Sequence, residues 1–200
     1  MRTRSYLKLS APLLLALALS TAAHAALISG TINFASAIGS GITLQKAGAL
    51  PTTSLADAVG VTTWGTVAIS GRDGAFSVIP LLTVPTMAAP WIFNPTTPTP
   101  GLWSVTGGGE TFTFNLSSST IVNQTSSFLT VSGTGSMTGT GTTTYTTTPG
   151  TWFFSTQGSP VGGTFSWSSS TTVPDGGTTM ALFGFSLLGL YGARRKFGKP

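Results

Sequence analysis

Residues 128–142 read FLTVSGTGSMTGTGT, and hydroxyl-bearing side chains occupy alternate positions from Thr130 to Thr142. A period of two is the repeat of a β-strand, in which successive side chains point to opposite faces. The Thr and Ser residues therefore share one face, and Val131, Met137 and the intervening glycines share the other. The stretch predicts one long strand.

Two interpretations of this strand remain open. Its Thr/Ser face could bind an ordered lattice, such as ice or a polysaccharide. Alternatively, the glycines of the opposite face let another backbone or sheet approach closely. A single row of hydroxyls is not an array, so the sequence favours the second interpretation.

Further short segments rich in β-branched and aromatic residues flank the long strand, which indicates more strands. An Asp-Gly pair within residues 71–74 predicts a tight hairpin, and only residues 53–59 show a weak helical pattern. Regularly spaced short strands favour a single all-β domain, a β-sandwich or a barrel-like fold. The candidate strands are residues 27–34, 41–45, 62–70, 75–79, 110–116, 120–122, 151–156 and 163–169.

Six prolines between Pro80 and Gly101 argue against a central strand, because proline cannot donate to a sheet's hydrogen-bond ladder. The stretch is too apolar for a solvated linker. We expect a crossover loop packed across the domain; the alternative is an exposed aromatic surface. A weak internal repeat links PGLW at residues 100–103 with PGTW at 149–152, and convergent turn chemistry explains it nearly as well.

The N-terminus has the features of a secretory signal peptide. The first ten residues carry three basic side chains and no acidic one, and residues 11–19 are apolar. Ala23 and Ala25 form an A-x-A site, which predicts cleavage by signal peptidase before Ala26. The alternative is a retained N-terminal anchor, for which the apolar core is short.

The C-terminus has three parts in order: a short motif, an uncharged apolar run at residues 178–193 and a basic end. The run predicts a transmembrane helix, although its sixteen residues cover only about 24 Å. Basic residues favour the cytoplasmic side, which places the body outside the cytoplasm. The motif residues are Val173, Pro174, Asp175, Gly176 and Gly177, and the basic residues are Arg194, Arg195 and Lys196.

This tail resembles the PEP-CTERM sorting signal of exported proteins, in particular its Val-Pro-Asp variants. It departs from the usual pattern at Asp175 and Gly176, where the family has Glu and Pro. The resemblance implies that an exosortase-type membrane protease cuts near residues 173–177 and sends the body to the cell surface or the extracellular space. It also implies an association with exopolysaccharide. The expected organisation is a signal peptide at 1–25, a β-sandwich domain at 26–172 and a sorting signal at 173–200.

The charges of the body differ from those of the full chain. The net charge of +5 and the pI of about 10.1 come from the two terminal segments. Such a body offers no basic patch for a phosphate backbone, so we expect no nucleic-acid partner. The charged residues between Ala26 and Thr172 are Lys46, Asp57, Arg72, Asp73 and Glu110.

The residue inventory leaves little room for catalysis. The chain has no Cys, and its one histidine, His24, leaves with the signal peptide. The mature body therefore lacks Ser-His-Asp or Cys-His machinery and the usual zinc ligands. Its three acids are far apart in sequence, and Glu110 is expected to be exposed at the start of a strand. We predict no catalytic, metal-binding or cofactor-binding residue and no cofactor.

Two classes of function remain. The first is a non-catalytic surface or extracellular-matrix protein whose nearly uncharged domain suits an environment of polysaccharide. The second is a carbohydrate-binding module that uses exposed indole rings for stacking. Buried core residues are the more usual role of strand aromatics. The candidates for stacking are Trp64, Trp91, Trp103, Trp152 and Trp167.

Overall fold

The structure is a computed structural model that describes residues 25–36, 40–157 and 165–171. Over these residues the chain consists mainly of β-strands, with one 3₁₀ helix at Gly74–Val78. The prediction of an all-β body is therefore confirmed. The predicted helix at 178–193 and all of the predicted signal peptide except Ala25 lie outside the described residues.

Most of the strands are short, and two long ones lie at the centre of the chain. In chain order they are β1 (Ala26–Leu27), β2 (Gly30–Ser36), β3 (Thr43–Lys46), β4 (Leu50–Thr52), β5 (Gly60–Thr63), β6 (Val67–Arg72), β7 (Thr86–Met87), β8 (Trp91–Ile92), β9 (Thr99–Gly107), β10 (Glu110–Gln124), β11 (Phe128–Gly141), β12 (Tyr145–Thr146), β13 (Thr148–Gln157) and β14 (Phe165–Thr171).

The largest sheet has eight strands in the order β6-β2-β14-β13-β11-β10-β9-β7. Its centre is the antiparallel hairpin of β10 and β11, which pairs Glu110 with Gly141 at one end and Gln124 with Leu129 at the other. The long strand predicted at residues 128–142 is thus confirmed. β10 was predicted as two strands; it is one strand with register shifts after Leu116 and Ile121.

The glycines of β11 lie beneath closely packed neighbours. A Cβ atom on Gly133 would come 2.6 Å from Leu116 Cδ1 and 2.8 Å from the carbonyl oxygen of Ser118. A Cβ on Gly139 would come 2.7 Å from the ring of Tyr145. Real Cβ atoms do not approach this closely. The interpretation that these glycines admit close neighbours is confirmed.

The two edges of the large sheet approach each other. The backbone N–H of Ile69, in the edge strand β6, donates to the oxygen of Thr83, and the N–H of Leu82 donates to the oxygen of Ile69, both at 3.0 Å. Only a few residues later, β7 pairs with β9 at the other edge. One short segment therefore bonds to both edges, so the sheet curves round its buried face.

A four-stranded sheet, β4-β3-β5-β8, contributes to the same hydrophobic core. The ring of Trp91, in β8, lies 5.1 Å from Trp152 and 5.7 Å from Phe154 of the large sheet, measured between centroids. Both pairs are edge-to-face, an arrangement worth about 0.5–1.5 kcal/mol beyond simple burial. A further two-stranded pair joins β1 to β12 in parallel. The described residues of this core run from Ile28 to Phe154, within the range 26–172 for which the sequence predicts one domain.

Three local predictions were wrong. Residues 75–79 are not a strand but largely the 3₁₀ helix, because Gly74 turns the chain at φ +55° and Phe76 inserts into the core. The predicted hairpin at 71–74 is therefore absent. The stretch 62–70 is two strands, β5 and β6, separated at Trp64, whose indole N–H donates to Ala88 O at 2.7 Å. Residues 53–59, for which the sequence shows a weak helical pattern and predicts no helix, form turns and bends.

The proline-rich stretch packs across the domain only in part. Trp91 and Phe93 are fully buried, as a packed crossover predicts, and the short strands β7 and β8 lie within it. Leu81 and Leu82 are exposed instead. The two tryptophans of the weak repeat, Trp103 in β9 and Trp152 in β13, are both buried in the same sheet.

Candidate functional site

Both ends of the described chain lie at one end of the large sheet. At the C-terminal end, Thr171 of β14 pairs with Gly30 of β2 and with Gly150 of β13. At the N-terminal end, the Ala26 N–H donates to Thr144 O at 2.9 Å. The Ile28 N–H donates to Thr148 Oγ1 at 3.1 Å, which ties the segment preceding β2 to the start of β13. The two ends of the described chain, Ala25 and Thr171, therefore lie on the same side of the domain.

The predicted processing residues fall at or beyond these ends. Ala26 is exposed in β1, and Ala25 precedes it, half-buried. Ala23, the motif residues 173–177 and the basic residues 194–196 lie outside the described residues. Within the described part of the chain, no helix has the length and apolarity needed to cross a membrane.

The residues that follow Thr171 match the model of a protein family. The family described as VPDSG-CTERM motif matches residues 172–197, which includes Val173-Pro174-Asp175, the apolar run and the basic residues. The tail is a VPDSG-CTERM sorting signal. It is a variant of the PEP-CTERM-like signals that exosortases recognise, and this chain has Gly176 where the family's name has Ser.

The VPDSG-CTERM signal covers the tail alone, so it identifies a route and not the activity of the body. It indicates an exported protein that an exosortase-type system sorts. No protein of curated function and no solved structure matches the chain. The role of the body therefore has to be argued from its own residues.

Three of the five tryptophans that were candidates for stacking are core residues. Trp91, Trp103 and Trp152 are fully buried, so the more usual core role is confirmed for them and the alternative of a stacking surface is wrong for these three. Trp64 is half-buried and packs against the core, with its indole N–H bonded to Ala88. The side chain of Trp167 lies outside the described part of the structure.

Phe153, unlike these three tryptophans, is exposed. It is the one exposed large aromatic side chain among the residues whose exposure the structure describes, with 44% of its surface accessible. It lies in β13 between the buried Trp152 and Phe154. The sequence holds the signal for this: alternation along residues 152–154 puts Phe153 on the face opposite to its two neighbours.

Phe153 lies within a grid of hydroxyl groups on three adjacent strands. Thr120 of β10 pairs with Ser132 of β11, which pairs with Phe153 of β13. The next row pairs Ser118 with Thr134 and Thr134 with Thr151. The hydroxyls of Ser118 and Thr134 lie 2.9 Å apart, within hydrogen-bond distance. The face predicted from the alternation in β11 is thus one line of a wider polar surface.

The grid lines a shallow depression of about 410 Å³. Gly133 and Trp152 complete its lining, while the charged residues Lys46, Asp57, Arg72, Asp73 and Glu110 take no part in it. Two properties distinguish this surface: it is dense in hydroxyl groups and it lacks charge.

Glu110 is buried, so the expectation that it is exposed was wrong. It starts β10, and its Oε1 accepts hydrogen bonds from the Thr142 hydroxyl and from the Thr143 N–H at 3.0 Å. The Thr142 hydrogen bond is the main cause that lowers the pKa of Glu110 below its usual 4.5, and burial opposes it. Sequence reasoning missed this because the partners lie more than thirty residues away along the chain.

The other two acids of the body have structural contacts. Asp73 Oδ1 accepts the Thr31 N–H at 2.5 Å, next to the 3₁₀ helix. Asp57 Oδ1 accepts the Thr52 hydroxyl at 2.7 Å. Within the described ranges, His, Cys, Asp and Glu residues form no group of three or more that could hold a metal ion.

Proposed function

We propose that this chain is a non-catalytic cell-surface or extracellular-matrix protein, delivered by exosortase-type sorting and associated with exopolysaccharide. The observation that carries the proposal is the VPDSG-CTERM signal at residues 172–197. The chain is then the substrate of a membrane protease-transpeptidase. Signal peptidase acts on its other end, before Ala26.

The position of the tail suits such processing. Thr171 is the last described residue paired in the large sheet, and the sorting motif begins two residues later at Val173. A cut within residues 173–177 removes none of the described strands and none of the described core residues. Cleavage before Ala26 likewise leaves β1 attached to the domain. Both cuts therefore release a body that retains its hydrophobic core.

A structural role fits the chemistry of the body. Its charged residues within 26–172 are two cationic and three anionic, and each of the three carboxylates accepts a hydrogen bond that supports a turn or a strand end. The hydroxyl-rich, uncharged sheet face supports a polysaccharide environment.

The sorting motif is tested with two matched variants of the full chain in its native host. Asp175→Ala alters the motif, while Thr179→Ala changes a neutral residue of the apolar run. The distribution of each variant between membrane and extracellular fractions is then measured. We expect Asp175→Ala to accumulate in membranes with its tail attached and Thr179→Ala to be processed like the natural chain.

Equal processing of both variants would contradict recognition of the motif. Retention of both would mean that the apolar run tolerates no change, and it would remove the support for a motif-directed cut. A third variant, Ala25→Phe, tests the N-terminal cut separately, because signal peptidase requires a small residue at this position.

A further inference from the structure

We propose that the face formed by Ser118, Thr120, Ser132, Thr134, Thr151 and Phe153 binds an uncharged, hydroxyl-rich glycan chain. This deepens the proposed association with exopolysaccharide, on which it rests, by assigning it to one surface of the body. We refer to these six residues as the hydroxyl face.

The hydroxyl face has a regular spacing that the sheet imposes. Its residues form two cross-strand rows of three, Thr120-Ser132-Phe153 and Ser118-Thr134-Thr151. Neighbouring strands are about 4.8 Å apart, and residues two apart along a strand are about 6.7 Å apart. An extended polymer of hydroxylated rings can therefore contact polar groups at regular intervals, whether it lies along the strands or across them.

The hydroxyl face is held rigidly before any ligand arrives. Along the hydroxyl face β11 and β13 are paired on both sides. β10 is paired there with β11, and on its other side, beyond the end of its pairing with β9, the Ser119 N–H donates to Thr96 Oγ1 at 2.6 Å. The opposite face of these three strands is fixed by buried residues, including Leu116, Val131 and Trp152. Short side chains on such strands lose little freedom on binding, which lowers the entropic cost of association.

The polar groups have hydrogen-bonding capacity for a ligand. A Ser or Thr hydroxyl offers one donor and two acceptor positions. The 2.9 Å contact between Ser118 and Thr134 uses one donor and one acceptor of that pair. The remaining acceptors and one donor are available to sugar hydroxyls, which also both donate and accept.

Phe153 supplies the apolar contact that sugar rings require. A pyranose ring has faces made of C–H groups, which pack on an aromatic ring. The ring of Phe153, at the β13 end of the row Thr120-Ser132-Phe153, is 44% exposed, although its neighbours Trp152 and Phe154 are buried. An exposed aromatic surrounded by hydroxyls is the usual composition of a site that holds an amphipathic ligand.

Because the hydroxyl face lacks charged side chains, it favours uncharged ligands over charged ones. None of the five charged residues of the body lines the depression. A polyanionic glycan, a phosphate backbone or an anionic lipid surface would lack a cationic partner here. A flat ice lattice would be interrupted by the projecting ring of Phe153. An uncharged glycan satisfies both the hydroxyls and the ring.

The test is co-sedimentation of the full chain, kept in a zwitterionic detergent, with insoluble glycans. The probes are microcrystalline cellulose and insoluble β-1,3-glucan, which are neutral, and calcium alginate, which is anionic. Two variants alter the hydroxyl face: Phe153→Ala, and the double variant Thr134→Val with Thr151→Val. Two control variants change exposed residues of the smaller sheet: Leu50→Ala and Thr63→Val.

We expect binding to at least one neutral glycan, with an affinity about tenfold lower for Phe153→Ala, a change that corresponds to about 1.4 kcal/mol. The Thr-to-Val double variant is expected to lose a similar factor. The controls should bind like the natural chain, and circular dichroism should show that all four variants are folded.

Three results would overturn the proposal: no binding to either neutral glycan, equal binding by all variants, or stronger binding to alginate than to the neutral probes. A dimer in sedimentation velocity that Phe153→Ala abolishes would assign the hydroxyl face to self-association instead. Because the assay uses the unprocessed chain, loss of glycan binding leaves the sorting proposal untouched. A failure of processing in the host likewise leaves the glycan result standing.

Discussion

Replacing Gly133 by alanine should destabilise the domain. The added Cβ would lie 2.6 Å from Leu116 Cδ1, 2.7 Å from Trp152 Cδ1 and 2.8 Å from the oxygen of Ser118. The last of these is a backbone atom within β10 and cannot move aside without disturbing the hairpin. Overpacking of this kind costs about 1–3 kcal/mol, and removing a strand glycine returns about 0.5–1 kcal/mol. Because one clashing atom belongs to the backbone, the cost should fall in the upper half of its range, and we expect a net loss of about 1–2 kcal/mol in the free energy of unfolding.

Gly71→Ala is the matched control for this substitution. Gly71 also lies in a strand, but the nearest atom to its added Cβ is Asn33 Nδ2 at 3.1 Å, the tip of a side chain that can rotate. Urea unfolding followed by circular dichroism should show a lower midpoint at unchanged slope for Gly133→Ala. The corresponding drop in melting temperature is about 2–8 °C. Equal stability of the two variants would refute the packing account of the β11 glycines.

Three other predictions test the same structure. Glu110→Gln should reduce the pH dependence of stability. Because the pKa of Glu110 is lowered on folding, its carboxylate stabilises the fold at neutral pH, and this contribution is lost as the pH falls through the folded-state pKa. The urea midpoints of the variant and the natural chain should therefore converge in acid. Thr142→Val removes the principal donor to that carboxylate and should raise the pKa of Glu110 in an NMR titration; an unchanged pKa would contradict the assignment. Trp152→Ala should cost about 3–5 kcal/mol of stability, whereas Phe153→Ala should change the stability by less than about 0.5 kcal/mol. If calorimetry shows similar losses of stability for the two variants, the burial pattern is contradicted.

The sequence was sufficient for features that depend on local pattern. The alternation along residues 128–142 predicts β11 nearly to its ends, because a strand's period is a property of the backbone alone. The sorting signal was recognisable for a similar reason, since a motif, an apolar run and a basic end follow one another within thirty residues. Neither feature requires knowledge of a distant contact.

The features that sequence reasoning missed depend on distant contacts. Residues 75–79 have the composition of a strand, yet Ala75 donates to Ser29 O at 2.7 Å, and this contact holds the 3₁₀ turn. Glu110 is buried at the start of β10, where its carboxylate accepts hydrogen bonds from Thr142 and Thr143, which follow the end of the partner strand β11.

The hydroxyl face shows the same limit. The single row in β11 was visible in the sequence, but its neighbours come from β10 and β13, whose registers are set by pairing across the sheet. The exposed aromatic was sought among the tryptophans because of their size. Alternation in β13 buries Trp152 and exposes Phe153.

The most direct test of the sorting account is the intact mass of the mature protein, recovered from the membrane and extracellular fractions of its native host. The account predicts a species that lacks residues 1–25 and everything beyond about Gly177. An intact C-terminus, found only in the membrane fraction, would contradict it and would make the tail a permanent anchor.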